Sequence, residues 1–174
     1  MTTVAQHERA YVEWQNRATR FYLAARRLYL SELTAPAAYC GAISIELLLK
    51  ATLIYWDRAF RPGDAGHAIA KLSRMVKNKV PNAATLYVPA YFYFEQRYLT
   101  TSRYPAGVKG VDVPTSFLSD LDEVYAYLLC RVPFQHNTEL RSTLRGRSKA
   151  ALNAFRRGNA HARKLRRFLH VPVR

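Results

Sequence analysis

The chain has 174 residues, of which 49% are hydrophobic, and a formal net charge of +15. This length suits a single domain with a packed core, and the apolar content excludes an intrinsically disordered chain. The charge is uneven: residues 1–140 hold 16 Lys or Arg and all 12 carboxylates, whereas residues 141–174 hold 11 Lys or Arg and no carboxylate. Such a block predicts a polyanionic partner, such as nucleic acid, anionic lipid or an acidic protein face.

Several features indicate a cytoplasmic location. Cys40 and Cys130 lie inside apolar segments, which is typical of buried reduced thiols and provides neither a disulfide framework nor a metal site. The first residues lack the apolar stretch of a signal peptide. The most apolar stretch, residues 35–56, contains Glu46 and Lys50, and a charge at mid-membrane is costly. We therefore expect a buried helix there, no membrane association, and no metal ion or cofactor.

Apolar residues recur at steps of three and four through most of the chain, which is the period of amphipathic helices, and no sustained alternation indicates a sheet. Thr34 is placed to cap the second helix, and Gly146 and Gly158 interrupt the last one. We predict an all-α domain over residues 1–135, followed by a basic helical extension over residues 136–174. The predicted helices span residues 4–33, 35–57, 67–79, 82–99, 114–131 and, with interruptions, 137–169.

The helix predicted over residues 82–99 is rich in aromatic residues. Tyr87, Tyr91, Phe94 and Tyr98 have the spacing of one helical face. An aromatic stripe of this kind is typical of a core or a dimer interface. The alternative is a platform on which nucleic-acid bases stack.

Three stretches resemble the HEPN family of small helical domains. Residues 35–53 (APAAYCGAISIELLLKATL) are similar to the family's second helix with its Ile-Glu-Leu-Leu-Leu-Lys core. Gly66-His67, followed by Ile69 and Lys71-Leu72, is similar to the family's Gly-His-Asp-Leu turn, although Ala68 stands where that turn has Asp. Arg103-Tyr104-Pro105 is similar to the Arg-Tyr-Pro feature of one HEPN branch. The order and spacing of these motifs match the family over roughly residues 20–130.

The resemblance implies an up-and-down bundle of four or five helices that is usually a homodimer. Some members of the family are metal-independent ribonucleases, often toxins or defence effectors, in which an Arg-x4–6-His motif from two subunits forms one cleft. Others lack this motif and bind nucleotides or substrates, often beside a nucleotidyltransferase. The branch with the Gly-His and Arg-Tyr-Pro features belongs mostly to the second group. Expected partners are therefore RNA or a nucleotide, a second copy of the chain, and a nucleotidyltransferase or antitoxin.

Arginine and histidine at this spacing suit RNA cleavage by the neighbouring 2′-hydroxyl. Histidine titrates near neutrality and can move the proton, and an arginine fork can neutralise charge on the phosphoryl oxygens. The alternative is that these are solvated arginines with histidines among them. It is supported by the count, since four pairs barely exceed the number that random placement would give in a chain of this composition. Arg156 and His161 are the first candidates, Arg131 and His136 the second; the other pairs are Arg61 with His67 and Arg163 with His170.

His67 has two interpretations of its own. In the structural one it bonds a backbone carbonyl or caps the helix that follows. In the functional one it shares a phosphate or nucleotide pocket with Arg103 and Tyr104.

The basic extension carries the predicted nucleic-acid contacts. Nine of its eleven cations are arginine, and a guanidinium fork suits phosphate oxygens better than an ammonium group does. A protein partner or a merely solvated helix is the alternative, and membrane binding is disfavoured because glycines interrupt the apolar face and Trp is lacking. The residues assigned to nucleic acid are Arg141, Arg145, Arg147, Lys149, Arg157, Asn159, Arg163, Lys164, Arg166 and Arg167.

Overall fold

The computed structural model describes residues 4–63, 65–93, 113–134 and 136–168. Within these ranges the chain is helical and contains no strand, so the prediction of an all-α bundle is confirmed. Arg103, Tyr104 and His170 lie outside the described residues. The helices are α1 (Val4–Leu30), α2 (Thr34–Trp56), α3 (Ile69–Lys79), α4 (Phe117–Leu129), α5 (Thr138–Leu144), α6 (Lys149–Arg156) and α7 (Ala162–Phe168).

The long helices α1 and α2 form the centre of the fold and are joined by a tight turn. The turn closes when the amide of Leu33 donates to the carbonyl of Leu28 at 2.9 Å, and Glu32 adopts a φ of 63°. The predicted cap at Thr34 is wrong. Leu33 occupies the cap position without a side-chain hydrogen bond, and Thr34 is already the first helical residue.

Helix α2 is covered on nearly all sides. It is the one helix of the described ranges with the length and mean hydropathy of a membrane span, and 78% of its most apolar window is buried within the fold. Its two charges neutralise each other, because Lys50 Nζ lies 2.7 Å from Glu46 Oε1 one turn away. The burial matches the core helix expected from the sequence.

The segment after α3 corrects the prediction of a helix over residues 82–99. Residues 81–90 form turns and irregular backbone, and helical structure begins only at residue 91. Asn82 has a φ of 57°, and Pro89 has no amide hydrogen to donate. Tyr87 is consequently 73% exposed and does not belong to a buried stripe. Phe94 and Tyr98 lie outside the described residues.

The C-terminal part breaks at the two glycines that the sequence marked. Gly146 and Gly158 have φ values of 72° and 68°, a conformation that glycine adopts without strain. Side chains of Asn137 and Ser148 cap α5 and α6 by accepting amide hydrogen bonds. Leu140, Phe155 and Leu165 are fully buried in the same core as the residues of α1 and α2. The basic extension is therefore packed against the bundle.

Candidate nucleic-acid interface

The cations of residues 141–167 are mostly exposed and unneutralised. Within the described ranges no carboxylate lies within ion-pair distance of the nine exposed ones, although Arg20 and Lys79 elsewhere pair with Glu139 and Asp57. Arg141 is half-buried and makes contacts within the chain. The exposed cations are Arg145, Arg147, Lys149, Arg156, Arg157, Arg163, Lys164, Arg166 and Arg167.

Two open grooves gather six arginines in sets of three. The larger, here called the arginine groove, has a volume of about 650 Å³ and lies between the end of α1 and α6. The smaller has a volume of about 190 Å³ and is lined by Thr138, Arg141, Ser142, Arg145 and Arg147. Neither lining includes a carboxylate. The residues of the arginine groove are Arg27, Leu30, Ser31, Ala150, Asn153, Ala154, Arg156 and Arg157.

A buried polar network fixes α6 and the turn after it to the bundle. Arg26 of α1 is fully buried, pairs through Nη1 with Asp122 of α4, and donates from Nε to the carbonyl of Ala154 at 2.7 Å. Its Nη2 donates to the carbonyl of Arg157. One guanidinium thus joins the core to the C-terminal end of α6. Because three donors of a rigid fork are used, the position of this end relative to α1 is well determined.

Tyr22 extends this network to the next turn. Its hydroxyl donates to Asp122 Oδ1 at 2.7 Å, and Asn159 Nδ2 donates to the same hydroxyl at 2.8 Å. Burial raises the pKa of Asp122, while Arg26 and the Tyr22 hydroxyl oppose that shift. Burial, and then the charge of Asp122, raises the pKa of Tyr22 well above its usual range. Both shifts reflect how little water reaches the network.

Asn159 requires a correction. The sequence placed it among the nucleic-acid ligands, but it is only 8% exposed and its side chain is used within the chain. Besides the bond to Tyr22, its Oδ1 accepts from the amide of His161 at 2.9 Å. Asn159 therefore shapes the turn that carries His161. The histidine itself is half-buried, whereas Arg156 is exposed.

Arg131, the second candidate for catalysis, is held in structural contacts. Its Nη1 donates to the carbonyl of Tyr127 at 2.6 Å and its Nη2 to the carbonyl of Asn82 at 2.8 Å. The guanidinium also stacks over the ring of Tyr127, 3.3 Å from its centroid. These contacts tie the end of α4 to the segment after α3. His136 is exposed, and the pair is less available than Arg156 and His161.

His67 contacts α2 instead of a backbone carbonyl, and it does not cap α3. Its Nδ1 lies 3.0 Å from Glu46 Oε1, the oxygen that also accepts from Lys50. Ala68 occupies the cap position of α3 without a side-chain hydrogen bond. The predicted pocket of His67 also needs Arg103 and Tyr104, which lie outside the described ranges. What the structure does give is a contact between the Gly-His turn and the central helix.

Sequence reasoning missed Arg26 and Arg27. Both lie on α1, far along the chain from the basic extension, and arginines on a long amphipathic helix look like solvated charges. For Arg26 the available signal was Tyr22, an aromatic residue one helical turn earlier on the same side of α1.

No protein-family model, no curated protein and no solved structure matches the chain.

Proposed function

We propose that this chain is an RNA- or nucleotide-binding protein that acts through its basic C-terminal surface. The observation that carries the proposal is the set of nine exposed cations without a carboxylate partner in the described residues. Two arginine-lined grooves on this part of the chain add support. The resemblance to HEPN domains agrees with such a ligand and extends the proposal to a homodimer in a defence or toxin–antitoxin setting.

The test removes charge from the surface without disturbing the core. Deleting residues 141–174 would leave Arg26 without its two carbonyl acceptors and would remove the buried side chains of Phe155 and Leu165. Substitution to alanine of four exposed cations avoids this problem. The test variant changes Arg145, Arg147, Arg166 and Arg167, which are all exposed.

A second quadruple variant provides the matched control. It removes the same amount of charge from α1, α3 and the loop before α3, at Arg17, Arg58, Arg74 and Lys77, which are also exposed. Fluorescence anisotropy with a labelled single-stranded RNA should show at least tenfold weaker binding for the test variant than for the control, because phosphate contacts dominate such affinities. Equal losses in both variants would mean that only net charge matters, and the surface proposal would fail.

A metal-independent RNA endonuclease is the second candidate function. It is favoured by the turn from Arg156 to His161, in which Asn159 fixes the amide of the histidine and Arg156 opens onto the arginine groove. Cleavage of labelled RNA should then survive EDTA and disappear in His161→Ala while the helical circular dichroism is kept. Cleavage that His161→Ala leaves unchanged would remove this assignment.

A further inference from the structure

The arginine groove combines charge with a partly apolar wall. Arg27, Arg156 and Arg157 supply three exposed guanidiniums from two helices and the turn after α6. Ser31 and Asn153 add polar side chains, and the side chains of Leu30, Ala150 and Ala154 complete the lining. A volume of about 650 Å³ lies in the range of small-molecule sites, which is about 300–1,000 Å³. The groove can hold a nucleotide unit as well as its phosphate.

The helix ends beside the groove repel an anion less strongly than free helix ends would. The C-terminal end of a helix carries partial negative charge on its free carbonyls. Here the carbonyl of Asn153 accepts from the backbone amide of Arg157. The carbonyls of Ala154 and Arg157 both accept from the guanidinium of Arg26. At the end of α1 the carbonyls of residues 27–29 accept amide hydrogen bonds from the following turn. The repulsion of a phosphate is therefore reduced on both sides.

The groove is also held in place before any ligand arrives. Arg26, the neighbour of Arg27 on α1, bonds the backbone on the far side of the groove at Ala154 and Arg157. Its own charge is taken up by buried Asp122. The three groove arginines thus stand on elements whose separation is fixed, and less ordering entropy is lost when a ligand binds.

We infer that the arginine groove binds a phosphomonoester, either at the end of an RNA strand or on a free nucleotide. A terminal phosphate carries about −1.5 to −2 charge at neutral pH and three oxygens that can accept. An internal phosphodiester carries one charge and has two free oxygens. Three guanidiniums without a carboxylate match the terminal group better. This inference rests on the proposed function, and it adds Arg27, which lies outside the basic extension, to the binding surface.

The experiment compares two 12-nucleotide RNAs of one sequence, with a 5′-phosphate or a 5′-hydroxyl, against the full chain. The phosphorylated RNA should bind about ten- to hundredfold more tightly, which is the scale of one or two hydrogen bonds to a charged group. Arg27→Ala should abolish that difference, whereas Arg74→Ala, which removes an exposed arginine of α3, should keep it. Circular dichroism checks that both variants fold.

Competition separates the two sources of the ligand. If AMP displaces the phosphorylated RNA and adenosine does not, a free nucleotide also fits the groove. If AMP has no effect, the site accepts only the phosphate at a strand end. The inference would be overturned if RNA binding were salt-sensitive but equally tight with and without the 5′-phosphate, and unaffected by Arg27→Ala. That result would leave the proposed function standing. If no RNA bound in any form, the RNA part of the proposed function would fail, and the inference would survive only if AMP bound directly and lost affinity in Arg27→Ala. Absence of both RNA binding and AMP binding would refute the proposed function and the inference together.

Discussion

Replacing Arg26 by Met should be among the most damaging substitutions in the chain. Arg26 and Asp122 are 0% and 2% exposed at their side chains. The substitution leaves the carboxylate buried without its cation and leaves the carbonyls of Ala154 and Arg157 without their donor. Orphaning one partner of a buried ion pair costs about 3–5 kcal/mol. We expect the free energy of unfolding to fall by this amount, a large share of what a domain of this size possesses.

The surface pair of Arg20 with Glu139 provides the control. Arg20 donates twice to one carboxylate oxygen, at 2.6 and 2.8 Å, but its side chain is 66% exposed. Arg20→Met should therefore cost at most about 1 kcal/mol. Urea denaturation followed by tryptophan fluorescence measures both, because Trp14 packs against the core of the bundle.

A double-mutant cycle tests the physical reason. Asp122→Asn removes the charge that Arg26 balances. The combined variant should therefore lose less free energy of unfolding than the two single variants together, by about 0.5–3 kcal/mol. Arg26→Lys keeps the positive charge but loses the planar guanidinium. Its free energy of unfolding should lie between that of the native chain and that of Arg26→Met. Additive losses, or an Arg26→Met variant no weaker than Arg20→Met, would refute the account of the network.

Two further predictions concern packing and the thiols. Gly41→Ala would bring a Cβ to 2.9 Å from the buried ring of Phe117. The free energy of unfolding in urea should fall by about 1–2 kcal/mol, despite the better helix propensity of alanine. In the control variant, Gly63→Ala, the new Cβ meets nothing within 4 Å, and the free energy of unfolding should change by at most about 0.5 kcal/mol. An unchanged Gly41→Ala midpoint would contradict this packing. Burial raises the pKa of both Cys40 and Cys130, so less thiolate is present at pH 8. Iodoacetamide should therefore alkylate both cysteines more slowly than it alkylates a small free thiol, as measured by mass spectrometry. Equal alkylation rates would contradict the burial.

The sequence predicted the helices better than it predicted their side-chain environments. Periodicity and turn residues were sufficient for α1, α2 and the breaks at Gly146 and Gly158, because these depend on local conformation. They failed over residues 82–90, where aromatic spacing resembled a helical face although the chain forms turns. Tyr87 shows the reason: spacing alone does not reveal whether the backbone between the rings is helical.

The candidate site was predicted only in part. The charge of the extension is visible in the composition, but its freedom from carboxylates depends on tertiary packing. Asn159 and Arg131 looked available because their neighbours are polar or cationic, yet each is bonded to groups distant in sequence, Tyr22 and Asn82. Arg27 joins the arginine groove only because α6 returns to the end of α1.

The salt dependence of RNA binding tests the central claim most directly. If six of the nine exposed cations contact phosphates of a single strand, log K should fall with log salt concentration at a slope of about −4, since each contact contributes about −0.7. Removing Arg145, Arg147, Arg166 and Arg167 should make that slope shallower by up to about 3, while the control quadruple variant keeps the native slope. A flat dependence, or one that both variants change equally, would contradict the claim that these exposed cations form the surface that binds phosphates.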